Sequence, residues 1–320
     1  RFAVMGIGSN GEIYRLDRHP SMSRHPVTPA DESDLRLHLS RQTDKRVGLM
    51  NILDIALPDA EMHQQLDNIV NDGCEVVLFD ALYEDQLERI GALIDNAAKT
   101  KTLLSVGSSV IEMALGNYWR GQTGAKAEPA WQPAGYAGPL LVLSGSCSPV
   151  TARQIAYALN NGFEQVGVNT QALTVAGVTD SVAANEAQKV IALIQSGKSV
   201  IVHTSYGDND PRIAQIREYS RQNNITTAAL LGTLLGHIAV AVAAAGSLKR
   251  ILVAGGDTAG FVARAMRIEA VEMIAQLAPG APLCKVYAPG SAVDGLEVNF
   301  KGGQVGNENY FLTVLPGNSQ

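Results

Sequence analysis

Cysteine, aromatic side chains, blocks of like charge and long apolar runs are all scarce in this 320-residue chain, and each scarcity excludes something. The three cysteines, Cys74, Cys147 and Cys284, are odd in number and lack C-x-x-C spacing. That argues against a disulfide framework or zinc site and makes a reducing, cytoplasmic compartment the expectation. The net charge is −6 and no run of Lys or Arg occurs, so a nucleic-acid surface is not expected. No stretch of about 18 uninterrupted apolar residues is present. The nearest, 226–245, carries Gly232, Gly236 and His237 and reads as a buried helix, so no membrane partner is expected. Two phosphate motifs are also missing. There is no G-x-x-x-x-G-K-[ST], and no G-x-G-x-x-G followed about 20 positions later by an acid. Gly6-Ile7-Gly8 before Asn10-Gly11 reads instead as a hairpin turn.

What is present is a layered α/β composition. The chain is 46% hydrophobic and only 5% aromatic, with Ala, Gly, Val, Leu and Ile dominant. Small and β-branched residues suit the interfaces between sheets and helices. Strand patterns fall at 46–52, 75–79, 102–106, 139–144, 165–168 and 199–203, and helical patterns lie between them. The expectation is two domains, each a mostly parallel sheet with helices on both faces. A Gly/Pro/Ala-rich stretch between Trp119 and Gly138 has linker composition. It places the boundary so that 1–135 and 136–320 are the two domains.

Near the C-terminus, the apolar run Arg250-Ile251-Leu252 leads into Val253-Ala254-Gly255-Gly256-Asp257-Thr258-Ala259-Gly260, and a helical pattern follows. A glycine turn that opens a helix presents N–H groups and the positive end of the helix dipole, which suits a phosphate. Three more segments place hydroxyls or glycines just after strands: Ser144-Gly145-Ser146-Cys147-Ser148, His203-Thr204-Ser205-Tyr206-Gly207-Asp208, and 301–306, Lys-Gly-Gly-Gln-Val-Gly. Ligands of open parallel sheets bind at those strand ends. Four such turns in one domain favour a nucleotide or another phosphate-bearing ligand. The plainer reading makes Ser146 and Ser148 helix N-caps and the glycines caps and tight turns. Cys147 has no His or acid motif nearby and reads as a small packed thiol. Lys301 reads either as a group that neutralises charge or as a solvated surface lysine.

The first half offers Arg18-His19-Pro20 and Arg24-His25-Pro26-Val27-Thr28-Pro29, a rigid basic loop suited to an acidic small molecule or simply a Pro-stiffened surface segment. Asp80 ends one strand, where it faces the ligand edge or caps the next turn. Gly107-Ser108-Ser109 ends the next strand pattern and opens a helix, which suits a carboxylate or phosphate. His38, His63 and His237 have no partner at metal-ligand spacing.

Taken together, Ser-Gly-Ser-Cys-Ser at 144–148, His-Thr-Ser at 203–205, Gly-Gly-Asp-Thr-Ala-Gly at 255–260 and Lys-Gly-Gly-Gln-Val-Gly at 301–306 resemble the four-carbon acid sugar kinase family. Arg-His-Pro-Val-Thr-Pro at 24–29 and Gly-Ser-Ser at 107–109 match its first domain. The resemblance covers essentially the whole chain. It implies an ATP- and Mg²⁺-dependent kinase that places phosphate on the C4 hydroxyl of a threonate-, erythronate- or 3-oxo-tetronate-like acid. The first domain would bind the sugar acid and the second the nucleotide. Carried over by motif, ATP contacts are Ser146, Ser148, Gly255, Gly256, Asp257, Thr258, Gly302 and Gly303. Asp257 doubles as the catalytic and Mg²⁺-binding candidate. Substrate contacts are Arg24, Asp80, Ser108 and Ser109. One departure stands out. The family's opening strand and Asp-Asp-x-Thr-Gly-Ala turn, implied to supply the general base, has no match in residues 1–50. The expectation is that this segment precedes Arg1 and that the first domain is incomplete here. The alternatives are a non-catalytic sensor of an acid sugar or nucleotide, and an NAD-dependent dehydrogenase, which the missing fingerprint counts against. A homodimer stays open, since 226–245 suits either a core or an interface.

Overall fold

In the computed structural model the described residues are 5–7, 12–20, 22–24, 28–123, 134–176, 180–207 and 210–317. The chain divides into two compact units, Arg1–Glu128 and Pro129–Gln320.

The first unit opens with β1 (Met5–Ile7) and β2 (Ile13–Arg15), an antiparallel pair, as the hairpin reading expects. Helix α1 (Leu35–Leu39) follows, capped by the Asp34 side chain. Then come β3 (Val47–Met50), α2 (Ile52–Ile55), α3 (Asp59–Asn71), β4 (Val76–Phe79), α4 (Glu84–Ala98) and α5 (Val110–Thr123). Strands β3 and β4 pair in parallel. Met50, Ile55, Met62, Leu87, Ile90, Leu93 and Ala114 form the core. The segment 102–106, expected as a strand, is irregular, and Leu104 is 91% exposed. Its apolar run finds no ladder among the described residues, and an isolated extended segment has neither hydrogen bonds nor a buried face to hold it.

The second unit holds the larger sheet. Its elements are β5 (Leu140–Ser144), α6 (Pro149–Asn160), β6 (Glu164–Gly167), α7 (Thr170–Ala176), α8 (Asp180–Gln195), β7 (Val200–His203), α9 (Pro211–Gln222) and α10 (Thr227–Ala244). They continue with β8 (Arg250–Ala254), α11 (Gly256–Ala265), β9 (Ala270–Ala278), β10 (Ala281–Tyr287), β11 (Glu297–Lys301) and α12 (Tyr310–Val314). Strand order is β6-β7-β5-β8-β11-β10-β9. The first five are mutually parallel, while β10 and β9 extend the sheet antiparallel. Continuous apolar sequence in β5, β7 and β8 fits burial on both faces. One face packs on α8, α10 and α11, the other on α6 and α12.

Helix α10 is apolar enough to cross a membrane by length and composition, yet Leu230, Leu234, Leu235, Ile238 and Val242 are buried in the core. Its glycines explain the fit. A Cβ on Gly232 would sit 2.6 Å from the Phe261 Cβ, and one on Gly236 2.5 Å from that of Ala265. The small stripe lets α11 lie close, which fixes where the start of α11 points.

Residues 134–137 belong to the second unit. Ala134 and Ala137 donate backbone bonds to Gly317 and Leu315. Arg250, fully buried on β8, ties both ends of the unit to the sheet. Its guanidinium donates to Glu297 (2.7 Å), to the Leu315 carbonyl (2.8 Å) and to the Gly135 carbonyl (3.1 Å). Arg250→Ala strands a carboxylate and several carbonyls in the interior. We expect a loss of about 3–5 kcal/mol in urea unfolding. A loss under about 1 kcal/mol, the level of a surface ion pair, overturns this account.

Candidate functional site

Register makes the site. Strand β5 pairs with β7 so that Ser144 lies opposite His203, and with β8 so that Ser144 lies opposite Ala254. Lys301 of β11 lies opposite Ala254, and Gly167 of β6 opposite His203. Five parallel strands therefore end on one level, and their turns form one row. The ladder runs on past the strand ends: Gly145 N donates to Ala254 O, Thr204 N to Ser144 O, Gly255 N to Lys301 O and Val168 N to His203 O, each at 3.0 Å.

Three turns interlock at the centre of this row. Gly255 has φ +137, and a Cβ there would meet Thr258 Oγ1 at 2.7 Å. One on Gly145 would lie 2.6 Å from Thr258, and one on Gly303 2.6 Å from Ser146 Oγ. These glycines are needed for turn to pack on turn. Thr258 is buried, with its hydroxyl donating to Gly255 O (3.2 Å). Ser148 caps α6 through Val150 N (3.2 Å), and Ser146 Oγ accepts from Ser148 N (3.1 Å). The N-cap reading of Ser148 thus holds structurally and leaves the hydroxyl at a helix start. Gly256 and Gly302 differ from the interlocked glycines. A Cβ on Gly256 meets nothing within 4 Å, and one on Gly302 only Val305 at 3.5 Å. Asp257 is exposed in the first turn of α11. The first N–H that α11 returns to the chain is that of Ala259, to Gly255 O (3.0 Å). The three preceding N–H groups have no intrahelical acceptor, as at any helix start.

Two residues correct the sequence reading. Cys147, expected as a packed thiol, is exposed, because the turn buries Ser146 instead. Lys301 is not a surface lysine: it is 2% exposed, with Nζ 3.3 Å from Thr151 Oγ1.

Supporting residues that the sequence reading did not find surround the row. Gln154 reaches from α6 with one amide group to the carbonyls of Val305, Gly306 and Asn307 (2.9, 2.9 and 3.0 Å). Thr151 donates to Gly303 O (2.9 Å). Arg212 pins the β6 and β7 ends. It donates to His203 O (3.3 Å), Val168 O (3.5 Å) and His203 Nδ1 (3.1 Å), and pairs with Asp210 (2.6 Å). That pairing holds the Asp210 carboxyl well below the usual range. The neutral His203 ring then donates from Nε2 to Gln165 Oε1 (3.2 Å). Burial, and then the Arg212 charge, push its pKa down to about 4. Leu159, Gln165, Gly167, His203 and Tyr206 line a cavity of about 600 Å³ at this end of the row.

In the first unit, Asp80 sits half-buried at the end of β4. Burial raises its pKa, with Asp34 adding to the rise and Arg36 opposing it. The pair at the start of α1 was not singled out in the sequence. Its signal was an acid one residue before a helix, with a base two positions on. Ser108 and Ser109 are exposed just ahead of α5. Arg24 ends a short 3-10 turn, and its side chain, with His25, Pro26 and Val27, lies outside the described residues.

Residues 1–115 match the family model described as a sugar-binding N-terminal domain, and residues 141–311 the one described as a nucleotide-binding C-terminal domain. The chain belongs to the four-carbon acid sugar kinase family. It is 36% identical over 326 residues to a 3-oxo-isoapionate kinase of Paraburkholderia graminis, covering 98% of this chain and 66% of that protein. It is 26% identical over 294 residues to a 3-oxo-tetronate kinase of Pseudomonas savastanoi pv. phaseolicola, covering 92% and 64%. The chain thus spans just under two thirds of these relatives' length. Among solved structures, a Salmonella typhimurium protein titled a putative tRNA synthase shares the fold with a TM-score of 0.68 at 21% identity, covering 92% of this chain and 65% of that one. A Haemophilus influenzae protein does so at 0.58 and 20%, covering 97% and 70%.

Two outcomes check this geometry. Gly256→Ala removes a helix glycine without a clash, so the thermal midpoint should hold or rise, while Gly255→Ala, at a left-handed φ and inside contact distance, should lower it. Equal losses in both would refute the distinction. For His203, the unfolded imidazole titrates near 6.5 and the folded one near 4. Acid therefore favours the unfolded chain, and this contribution is complete above about 6.5 and lost as pH falls toward about 4. His203→Gln should flatten the fall of thermal midpoint across that window, and an unchanged slope removes His203 as its source.

Proposed function

We propose that this chain carries the nucleotide site, and contacts of the acid site, of a cytoplasmic ATP-dependent kinase for a small sugar acid of the 3-oxo-tetronate or 3-oxo-isoapionate type, with phosphate placed on the terminal hydroxyl. The level row of glycine and hydroxyl turns across β5, β8 and β11 carries this reading. The family membership and the relatives' names support it.

The reaction moves a phosphoryl group in line. The bond from the γ-phosphorus to the β–γ bridging oxygen breaks as one to the acceptor hydroxyl oxygen forms, and the hydroxyl proton passes to a base. Little covalent work falls to the protein, so positioning and charge dominate. The helix starts at Ser148 and Gly256 hold phosphate oxygens through N–H groups. The room at Gly256 and Gly302 lets the ligand approach the backbone. Thr258, Gly255 and Gly303 act by holding the turns. The cavity beside β7, the strand next to β5, takes the nucleoside.

Magnesium fits as a companion of the nucleotide. No cluster of three or more His, Cys, Asp or Glu occurs among the described residues, so the exposed Asp257 carboxylate is the group that would hold the ion, directly or through water. When bound, the ion neutralises charge developing on the phosphates. On the acid side, Asp80, Ser108, Ser109 and Arg24 are the contacts we assign.

ADP formation from Mg-ATP, measured across threonates, erythronates, 3-oxo-tetronates and 3-oxo-isoapionate, tests the reading. Turnover with one of them establishes it, and none above background with any refutes it. Asp257→Ala should lower kcat by at least about 100-fold with an unchanged unfolding midpoint. Near-wild-type activity removes Asp257 from the chemistry.

A further inference from the structure

Lys301 is the unusual residue of the second unit. It is 98% buried by its 2% exposure, on the sheet face that otherwise packs Phe311, Val314 and Ile155. Among the described residues no carboxylate pairs with it. Its acceptor is Thr151 Oγ1 at 3.3 Å, and the Tyr310 ring lies 6.0 Å away. A buried ammonium without a counter-charge is costly, and a chain that needed only to fill this volume would do better with an apolar side chain. Its position is informative. Lys301 is the last residue of β11, its carbonyl accepts from Gly255 N, and Thr151 donates onward to Gly303 O. The ammonium is therefore one hydroxyl removed from the Gly303 turn, through Thr151, while the Lys301 backbone carries the Gly255 turn.

We propose that Lys301 is the buried counter-cation of the nucleotide phosphates, and that through Thr151 it also fixes the Gly303 turn against Ser146. This rests on the kinase reading above and adds to it where the compensating charge comes from. The cation acts as a positioning and electrostatic residue.

The surroundings define how it should respond. Tyr310 of α12 is neutral, its phenol pushed up to about 12 by burial. From α6, Thr151 and Gln154 are uncharged, and Arg153 pairs with Glu308 (3.3 Å). Strand β8 sets Ala254 opposite Lys301, and β10 sets Leu283 opposite Asn299. Cys147 and Asp257 of the adjoining turns are exposed. Burial alone brings Lys301 down to about 8. At pH 8.5 most of the ligand-free protein then holds it neutral, and an arriving polyanion restores the proton. Affinity should fall as pH rises through that window, because the bound state holds more protons than the free one.

Calorimetric titration of the protein with ADP and Mg²⁺ at pH 8.5, in two buffers of different ionisation enthalpy, reads this directly. We expect net proton uptake on ADP binding that is substantial at pH 8.5 and much smaller at pH 6.5. Lys301→Met should abolish the uptake and weaken ADP at least about 10-fold, while holding or raising the thermal midpoint of the free protein. Lys301→Arg should restore most of the affinity without uptake, and Cys147→Ser should leave uptake intact. Wild-type protein that binds ADP without proton uptake, or a Lys301→Met protein that binds like the wild type, overturns the role of Lys301 and leaves the kinase reading standing. A destabilised Lys301→Met protein whose weakened affinity Lys301→Arg does not rescue overturns it as well, by reducing Lys301 to a packing residue. Wild-type protein that binds no ADP removes both.

Discussion

The in-register pairing of β5 with both neighbours is the constraint on which the rest of the second unit depends. Because Ser144 sits opposite both His203 and Ala254, and Ala254 opposite Lys301, every turn leaves the sheet at one height. Changing the pairing of β5 by one residue would exchange its two buried faces, and strands buried on both sides specify register through packing on each. The first N–H of four of the five turns then finds a carbonyl on the neighbouring strand, so the ladder dictates those turns as well as the strands. The row of turns follows from sheet geometry before any ligand is considered.

Within that row the glycines divide into two kinds. Gly145, Gly255 and Gly303 lie where any side chain would strike the next turn, so the folded chain itself explains them. A Cβ on Gly256 would meet nothing and one on Gly302 only Val305 at an ordinary contact distance, so packing does not account for them. Helix α10 works on the same principle at longer range: its small stripe at Gly232 and Gly236 sets how near α11 comes, and thereby where the helix start at Gly256 lies. A stripe buried in the core thus acts on a site at the sheet edge through one rigid helix.

Much of this was legible in the sequence because the signals were local. Apolar runs of four or five residues gave β4, β5, β7 and β8, and Ser148-Pro149 is a helix-start signal. Strand β9 escaped because Ala-Val-Glu-Met-Ile-Ala-Gln-Leu-Ala has helix-forming composition, and its pairing with β10 overrides that preference. The reverse error at 102–106 has the same cause: Leu103-Leu104-Ser105-Val106 looks like a strand, but strand character needs a partner. The supporting side chains were least legible. Gln154, Arg212 and Arg250 contact groups as far as 153, 44 and 115 positions away in the chain, and no local pattern marks a residue whose partners are that distant.

The chain is acidic overall, at −6, so bulk electrostatics do not draw an anion to it. Attraction for a polyanion has to be local and weakly screened. Exposed lysines would lose most of their effect at physiological salt, whereas a buried cation such as Lys301 is screened much less. Burying Lys301 without a carboxylate costs stability in the free protein, and Arg250 shows the contrast: equally buried, it is matched by Glu297 and three carbonyls. Of the two buried cations on this sheet, the one that ties the ends of the unit together is fully compensated. Lys301 is left with a hydroxyl and an aromatic ring, an imbalance that the fold does not explain and the proposed counter-cation role would.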